Sequence, residues 1–180
     1  MGLQYLHEPL EGTSQQRVLH RDIKSANILL DHNWIPKIAD FGLSKLGPAN
    51  RQFSFLFSAA VGTLEYCDPE YERTCMLTKE IDVYSFGVVL FEVLCGRLCI
   101  LQKYNDIRRS LAELSRKRYD ENKMDTIIPI GLHNNVSPES FERFMAIAYQ
   151  CLHLNRTERP TMGKVVEELR FALDYQVRFI

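Results

Sequence analysis

Apolar residues recur along the chain with helical spacing in its second half and in short runs in its first. Leu3 and Leu6 fall on one side of a segment, Met1 to Glu8, that reads as the last turns of a helix, broken by Pro9 and Gly12. A polar stretch from Glu11 to Gln16 leads into the apolar pair Val18-Leu19. A second short run, Ile28-Leu29-Leu30, precedes the turn signal Asp31-His32-Asn33 and then Trp34 to Ile38, which predicts a small β-hairpin. From Asp40 to Glu70 periodicity disappears, and an irregular segment of that length is usually functional or disordered.

Helical patterns follow. Thr78 is placed to cap a helix running to about Cys95, with Gly96 as its C-terminal stop. Val83, Phe86, Val89, Leu90, Val93 and Leu94 surround that helix with apolar side chains, which predicts central burial. A more polar helix is expected from Asp106 to about Tyr119. Ser137-Pro138 forms a cap and first turn ahead of Phe141, Phe144, Met145, Ala148, Cys151 and Leu152. The last helix follows Pro160, with Met162, Val165, Val166, Leu169, Ala172 and Leu173 on one stripe. The stripes are core positions, not cofactor boxes.

Composition narrows the function classes. A chain of 180 residues, 46% hydrophobic and 25% charged, is ordinary globular material for one domain. Lysine plus arginine (22) nearly balance aspartate plus glutamate (23), so the net charge of −1 supplies no overall field for nucleic acid or an anionic membrane. No run approaches the roughly 20 apolar residues of a membrane span; the best, Val83 to Cys95, is too short and contains Glu92. The five cysteines form no CxxC pair, and no histidine stands near Cys95 and Cys99, so they read as free thiols of a reducing compartment. Leu6 stands where a myristoylation signal after Gly2 needs Ser or Thr, and two Asn-x-Ser/Thr sequons are read as chance.

The residues that carry chemistry cluster early. His20-Arg21-Asp22-Ile23-Lys24-Ser25-Ala26-Asn27 lies between the two short apolar runs, as a loop held at both ends. Asp40-Phe41-Gly42 follows the hairpin, and Asp68-Pro69-Glu70 comes after a further stretch. In this order the set resembles a eukaryotic-type protein kinase. The strings VLHRDIKSANILL (18–30), IADFGLSK (38–45), DVYSFGVVLFEVLCGR (82–97) and ERPTM (158–162) resemble plant receptor-like serine/threonine kinases of the malectin-like-receptor style, over essentially the whole chain.

The resemblance implies a protein-kinase-like α+β fold: a mainly α-helical large lobe with a small β-hairpin. Residues 1–180 form one partial kinase domain, with a catalytic loop at 18–27, an activation segment at 40–70 and a helical core at 78–175. Asp22 matches the acid that orients the attacking hydroxyl. Asn27 and Asp40 match the oxygen ligands of Mg²⁺, with Mn²⁺ an alternative, and Lys24 matches the lysine that steadies the transferred phosphate. Leu29 matches the residue beneath the adenine of ATP. His20 and Phe41 look like two members of a hydrophobic spine. Asp82 resembles the acid that holds the catalytic-loop backbone, and Glu70 and Arg159 match a buried ion pair at the end of the activation segment.

Arg21 before the catalytic acid implies activation by phosphorylation, with Ser54, Ser58 and Thr63 the candidate acceptors and Thr63, beside Gly62, also matching the family's substrate-facing threonine. Ser54 and Ser58 are either phosphate acceptors or ordinary loop hydroxyls. Glu65 stands where related receptor-like kinases carry glycine; it disfavours a glycine-only geometry, repels acidic substrates, or is a tolerated exposed acid.

Nine glycines include no GxGxxG, so the reading is a large lobe without the small N-terminal lobe, with little or no activity alone and an exposed apolar roof at Leu3, Leu6, Leu29 and Phe41. Expected partners are protein substrates and other receptor-like kinases, with no nucleic acid and no membrane insertion. The expected place is the cytoplasm, or the cytoplasmic face of the plasma membrane within a receptor-like parent. The competing reading is a pseudokinase-like scaffold or dominant-negative binding module.

Overall fold

A computed structural model of the chain describes residues 2–8, 17–47, 55–133 and 135–179. The fold is α+β and mainly helical. Helix α1 (Gly2–His7) precedes three two-stranded antiparallel ribbons: β1 (Val18–Leu19) with β4 (Lys45–Leu46), β2 (Ile28–Leu30) with β3 (Pro36–Ile38), and β5 (Leu56–Phe57) with β6 (Met76–Leu77). Ribbons this short have no stability of their own and depend on the helices beneath them. The expected hairpin is β2–β3. Its turn is held by Asp31, whose Oδ1 accepts from Asn33 N at 2.9 Å and Ile35 N at 3.0 Å.

Helix α2 (Pro69–Thr74) begins at Asp68, whose carboxylate accepts from Glu70 N, and starts at the very end of the segment that showed no periodicity. Helix α3 (Glu80–Cys95) is the central element, and Gly96 closes it in the left-handed conformation at φ 60°. The helix begins two residues beyond Thr78, because the Thr78 hydroxyl is buried without reaching an amide and Lys79 takes the capping position. Val93 is 71% exposed, so the apolar surround is open on that side. Gly87 lets α3 approach α6 (Pro138–Cys151): a Cβ there would stand 2.7 Å from Cys151 Cβ.

The polar helix divides in two. Asp106 caps a short 3₁₀ turn, Ile107–Arg109, and Ser110 caps α4 (Leu111–Asp120). Helix α5 (Ile130–His133) leads to α6, capped by Ser137 as the sequence implies, and α6 packs on α7 (Met162–Phe179). On α7 the predicted stripe holds for Met162, Val165 and Ala172, whereas Leu173 is 60% exposed because the helix outruns the core at its C-terminal end. Leu3 does not belong to the exposed roof. It is 4% exposed, since α1 packs against α7 and β3, while Leu6 is half-buried and Leu29 and Phe41 are exposed.

The buried ion pair differs from the expected Glu70–Arg159. Arg159 grips Asp68 in a two-pronged contact, Nη1 to Oδ2 at 2.6 Å and Nη2 to Oδ1 at 2.7 Å, with both side chains at most 1% exposed. Its remaining donors reach the carbonyls of His153, Leu154 and Glu80. Asp68 stands just outside α2 and serves both its own helix start and the guanidinium. Glu70, inside the first turn and partly exposed, instead accepts from Arg156 N at 3.0 Å and faces the Arg156 guanidinium at 3.7 Å.

Removing one half of a buried pair leaves an uncompensated charge, at a cost of about 3–5 kcal/mol, whereas a partly exposed pair contributes about 1 kcal/mol or less. Asp68→Ala and Arg159→Ala are therefore expected to lower unfolding free energy far more than Glu70→Ala, read by urea denaturation followed by circular dichroism. Equal losses for Asp68→Ala and Glu70→Ala would contradict the pairing.

Candidate active site

The loop between β1 and β2 is shaped from below by Asp82, in the first turn of α3. This carboxylate is fully buried and accepts from His20 N and Arg21 N, both at 2.8 Å, while His7 Nε2 lies 2.9 Å from Oδ2. Arg21 is held in the left-handed region at φ 72°, a conformation that costs a non-glycine residue about 1–3 kcal/mol and needs such anchoring. The His20 ring meets Ala39 O at 3.0 Å and lies 4.9 Å from the Phe41 ring, so the two expected spine residues do touch.

Asp22 sits at the centre of a compact polar cluster. Its Oδ1 accepts from Thr63 N and Thr63 Oγ1, both at 2.8 Å, and its Oδ2 accepts from Lys24 Nζ at 2.7 Å. Lys24 Nζ also reaches Thr63 Oγ1 at 2.8 Å. Asn27 Nδ2 donates to Asp22 O at 2.9 Å and Oδ2 at 3.2 Å. Burial pushes the Asp22 carboxyl up, but hydrogen bonds from Lys24 and from the hydroxyl and amide of Thr63, with the Lys24 charge, outweigh it and hold the group below its ordinary value of 3.8. Asp22 is thus kept ionised at neutral pH.

Gly62 makes this contact between loops feasible. It takes φ 110°, and a Cβ there would lie 2.4 Å from Arg21 O. Asp40 also lies in the left-handed region, at φ 63°, and caps the Phe41–Leu43 turn with a 3.4 Å bond from Gly42 N. The bond from Ala39 N to Asn27 O at 2.9 Å holds Asp40 next in chain to a residue bonded to Asn27. The Asp40 carboxylate makes no hydrogen bond to Asp22 or Asn27 among the described residues, so it borders the cluster without joining it. Leu29 is exposed on β2 opposite Lys37.

Arg21 reaches the other way, toward Leu43 and residues 58–71. Its guanidinium donates to Leu43 O, Ser58 Oγ, Ala59 O and Tyr71 OH, each at 3.1 Å. Lys45 Nζ donates to the same Ser58 Oγ at 2.8 Å, so this hydroxyl lies between two cations. Ser54 lies outside the described residues.

Sequence reasoning missed Lys45, His7 and the Tyr66 network. Tyr66 OH donates to Glu92 Oε2 at 2.8 Å and meets Ser25 Oγ at 3.0 Å, while Ser85 Oγ donates to Tyr66 O at 2.8 Å. The available signal was Ser85 and Glu92 within an otherwise apolar buried helix, since buried polar groups need partners. The cysteines are free, and burial pushes Cys95 up to about 11 and Cys67 and Cys151 up to about 12, with nearby acids adding to the Cys67 shift. Cys67, Cys95 and Cys151 therefore stay protonated at neutral pH.

An all-oxygen set suits a hard divalent cation: the Asp40 carboxylate and the Asn27 amide oxygen, the latter without a hydrogen-bond partner among the described residues. No group of three or more His, Cys, Asp or Glu gathers among those residues.

Residues 1–171 match the family model for the protein kinase domain. The chain is 46% identical over 175 residues to Receptor-like protein kinase HERK 1 and 42% identical to Receptor-like protein kinase ANXUR2 and Receptor-like protein kinase FERONIA, all of Arabidopsis thaliana. These alignments cover 97% of the chain but only 20%, 20% and 19% of the respective relatives, so the chain spans about a fifth of their length. With the model matched across nearly all of its residues, the chain belongs to the protein kinase domain family.

Proposed function

We propose that this chain is the catalytic large lobe of a serine/threonine protein kinase, moving the γ-phosphoryl group of ATP to hydroxyls of protein substrates. The observation that carries the reading is Asp22, ionised and held at once by Lys24, Asn27 and Thr63. Phosphoryl transfer asks a protein to position groups and balance charge more than to form bonds. The Asp22 carboxylate orients an incoming hydroxyl and takes its proton. Lys24 places positive charge beside that point, and the side-chain oxygens of Asn27 and Asp40 are the groups that would hold Mg²⁺ or Mn²⁺. The cation, when bound, neutralises phosphate charge. An intact set at these positions speaks for an enzyme over a scaffold. As part of a receptor-like parent the lobe works at the cytoplasmic face of the plasma membrane; no helix among the described residues is long and apolar enough to cross one.

Regulation follows from Ser58. A phosphate on that hydroxyl gains two cations already in place, Arg21 and Lys45, and braces the activation segment against the catalytic loop. Thr63, bonded to both Asp22 and Lys24, is read as the residue facing the substrate hydroxyl.

With a Gly-rich nucleotide-binding lobe joined ahead of it, the chain is expected to move radiolabel from ATP to serine or threonine of a protein substrate. Asp22→Asn should lower that rate about 10²–10⁴-fold while leaving Mn²⁺·ATP binding, followed by electron paramagnetic resonance, unchanged; Asp40→Asn should weaken the binding. Label on tyrosine alone, or an Asp22→Asn enzyme at full rate, overturns the reading. Phosphorylation of Ser58 should raise unfolding free energy by about 1–3 kcal/mol, with part of the gain lost in Lys45→Ala.

The lowered Asp22 value sets a pH dependence. A carboxyl depressed on folding contributes stability that is fully present above its unfolded value, near 3.8, and is lost as pH falls through the folded value. Acid titration of unfolding midpoints should show a steeper loss below about pH 4 for the native chain than for Asp22→Asn.

A further inference from the structure

Thr63 contacts both Asp22 and Lys24, so on the kinase reading a phosphate-accepting hydroxyl arrives beside it. Leu64 and Glu65 follow directly, both exposed, in the 3₁₀ turn Leu64–Tyr66. From them a groove of about 420 Å³ runs between α2, α3 and α4, with Pro69, Tyr84, Ile100 and Ala112 in its lining. Its ionisable groups are four carboxylates, Glu65, Glu72, Asp106 and Glu113, against two guanidinium groups, Arg109 and Arg116.

Some of this charge is already engaged. Asp106 is paired with Arg108 at 2.6 Å, and Arg116 donates to Tyr84 OH at 3.2 Å. Glu65, Glu72 and Glu113 form no ion pair among the described residues, so three unpaired carboxylates share the groove with the two guanidinium groups of Arg109 and Arg116, the latter still charged beside the neutral Tyr84 hydroxyl. Glu65 is the one of these in the same turn as the residues that contact the catalytic loop. No left-handed backbone is required of it, since it is not among the residues with positive φ. A charged side chain is therefore accommodated at this position without strain, and the glycine-only explanation falls away.

We propose that Glu65 is a specificity-determining residue: it selects substrates carrying arginine or lysine within about three residues of the accepting serine or threonine and disfavours acidic ones. Three residues of extended chain span about 10 Å, enough to carry a basic side chain from the Thr63 position to the mouth of the groove. The inference rests on the kinase reading, because Thr63 marks the acceptor position only if Asp22 acts on a hydroxyl. Its electrostatics are those of an exposed carboxylate: selective, salt-sensitive and modest in strength.

The test uses the chain itself and two fluorescent peptides of equal length around a central serine, one flanked by arginine and one by glutamate. Fluorescence anisotropy at low salt should show the arginine peptide bound at least about threefold more tightly, with the difference shrinking as salt is raised. Glu65→Gln should remove most of the preference, and Glu65→Lys should reverse it. Circular dichroism should report unchanged folding, as suits an exposed side chain. Equal affinity for the two peptides, no binding of the arginine peptide at millimolar concentration, or an unaltered preference in Glu65→Lys overturns the proposal. Peptide preference is read without nucleotide, so its failure leaves the phosphoryl-transfer result standing, and failure of transfer with the preference intact points instead to the catalytic reading.

Discussion

A single buried carboxylate organises this molecule. Asp82 accepts two backbone amides of the catalytic loop and faces the imidazole of His7, three groups that lie 61, 62 and 75 residues away in sequence. Buried carboxylate oxygens are tolerated only when they find donors, and the place of Asp82 in the first turn of α3 sets it at a helix start. What stabilises Asp82 therefore also dictates the backbone at residues 20 and 21. The left-handed turn at Arg21 follows, and with it the separate destinations of Arg21 and Asp22. One side chain goes to the activation segment and the other to the reacting cluster.

The activation segment is thus held from two directions by different chemistry. Beside Arg21 and Asp22 the contacts are hydrogen bonds, to exposed or half-exposed partners such as Ser58, Thr63 and Leu43 O and to the buried Tyr71 hydroxyl. At the far end the Asp68–Arg159 pair is sealed from water, with Arg159 also lying over the Tyr84 ring at 5.0 Å. A segment fixed firmly at one end and adjustably at the other can reorganise near the chemistry without releasing the helical core. The Tyr66 hydroxyl, between Ser25 and Glu92, joins the two regimes.

Much of this was legible in the sequence. The helical patterns of α3, α6 and α7 follow from burial, the hairpin from the turn signal Asp31-His32-Asn33 after a short apolar run, and the Ser137 and Gly96 ends from capping chemistry. Motif order brought Asp22, Lys24 and Asn27 to one loop, and their side chains do converge. The ribbons β1–β4 and β5–β6 were not legible, because two residues cannot display a period. Asp68 and Glu70 carry the same charge two residues apart, so spacing alone could not tell which faces Arg159; the start of α2 decides it. Val93 and Leu173 look like core by period, yet exposure depends on whether a neighbouring helix extends far enough to cover them.

The fit between the Gly62 backbone and the carbonyl of Arg21 has a consequence for how the chain can vary. Any other amino acid brings a carbon into the space where the two loops touch, at a distance no real contact adopts. At this position the two loops leave room for hydrogen alone, and every codon but those of glycine would force them apart.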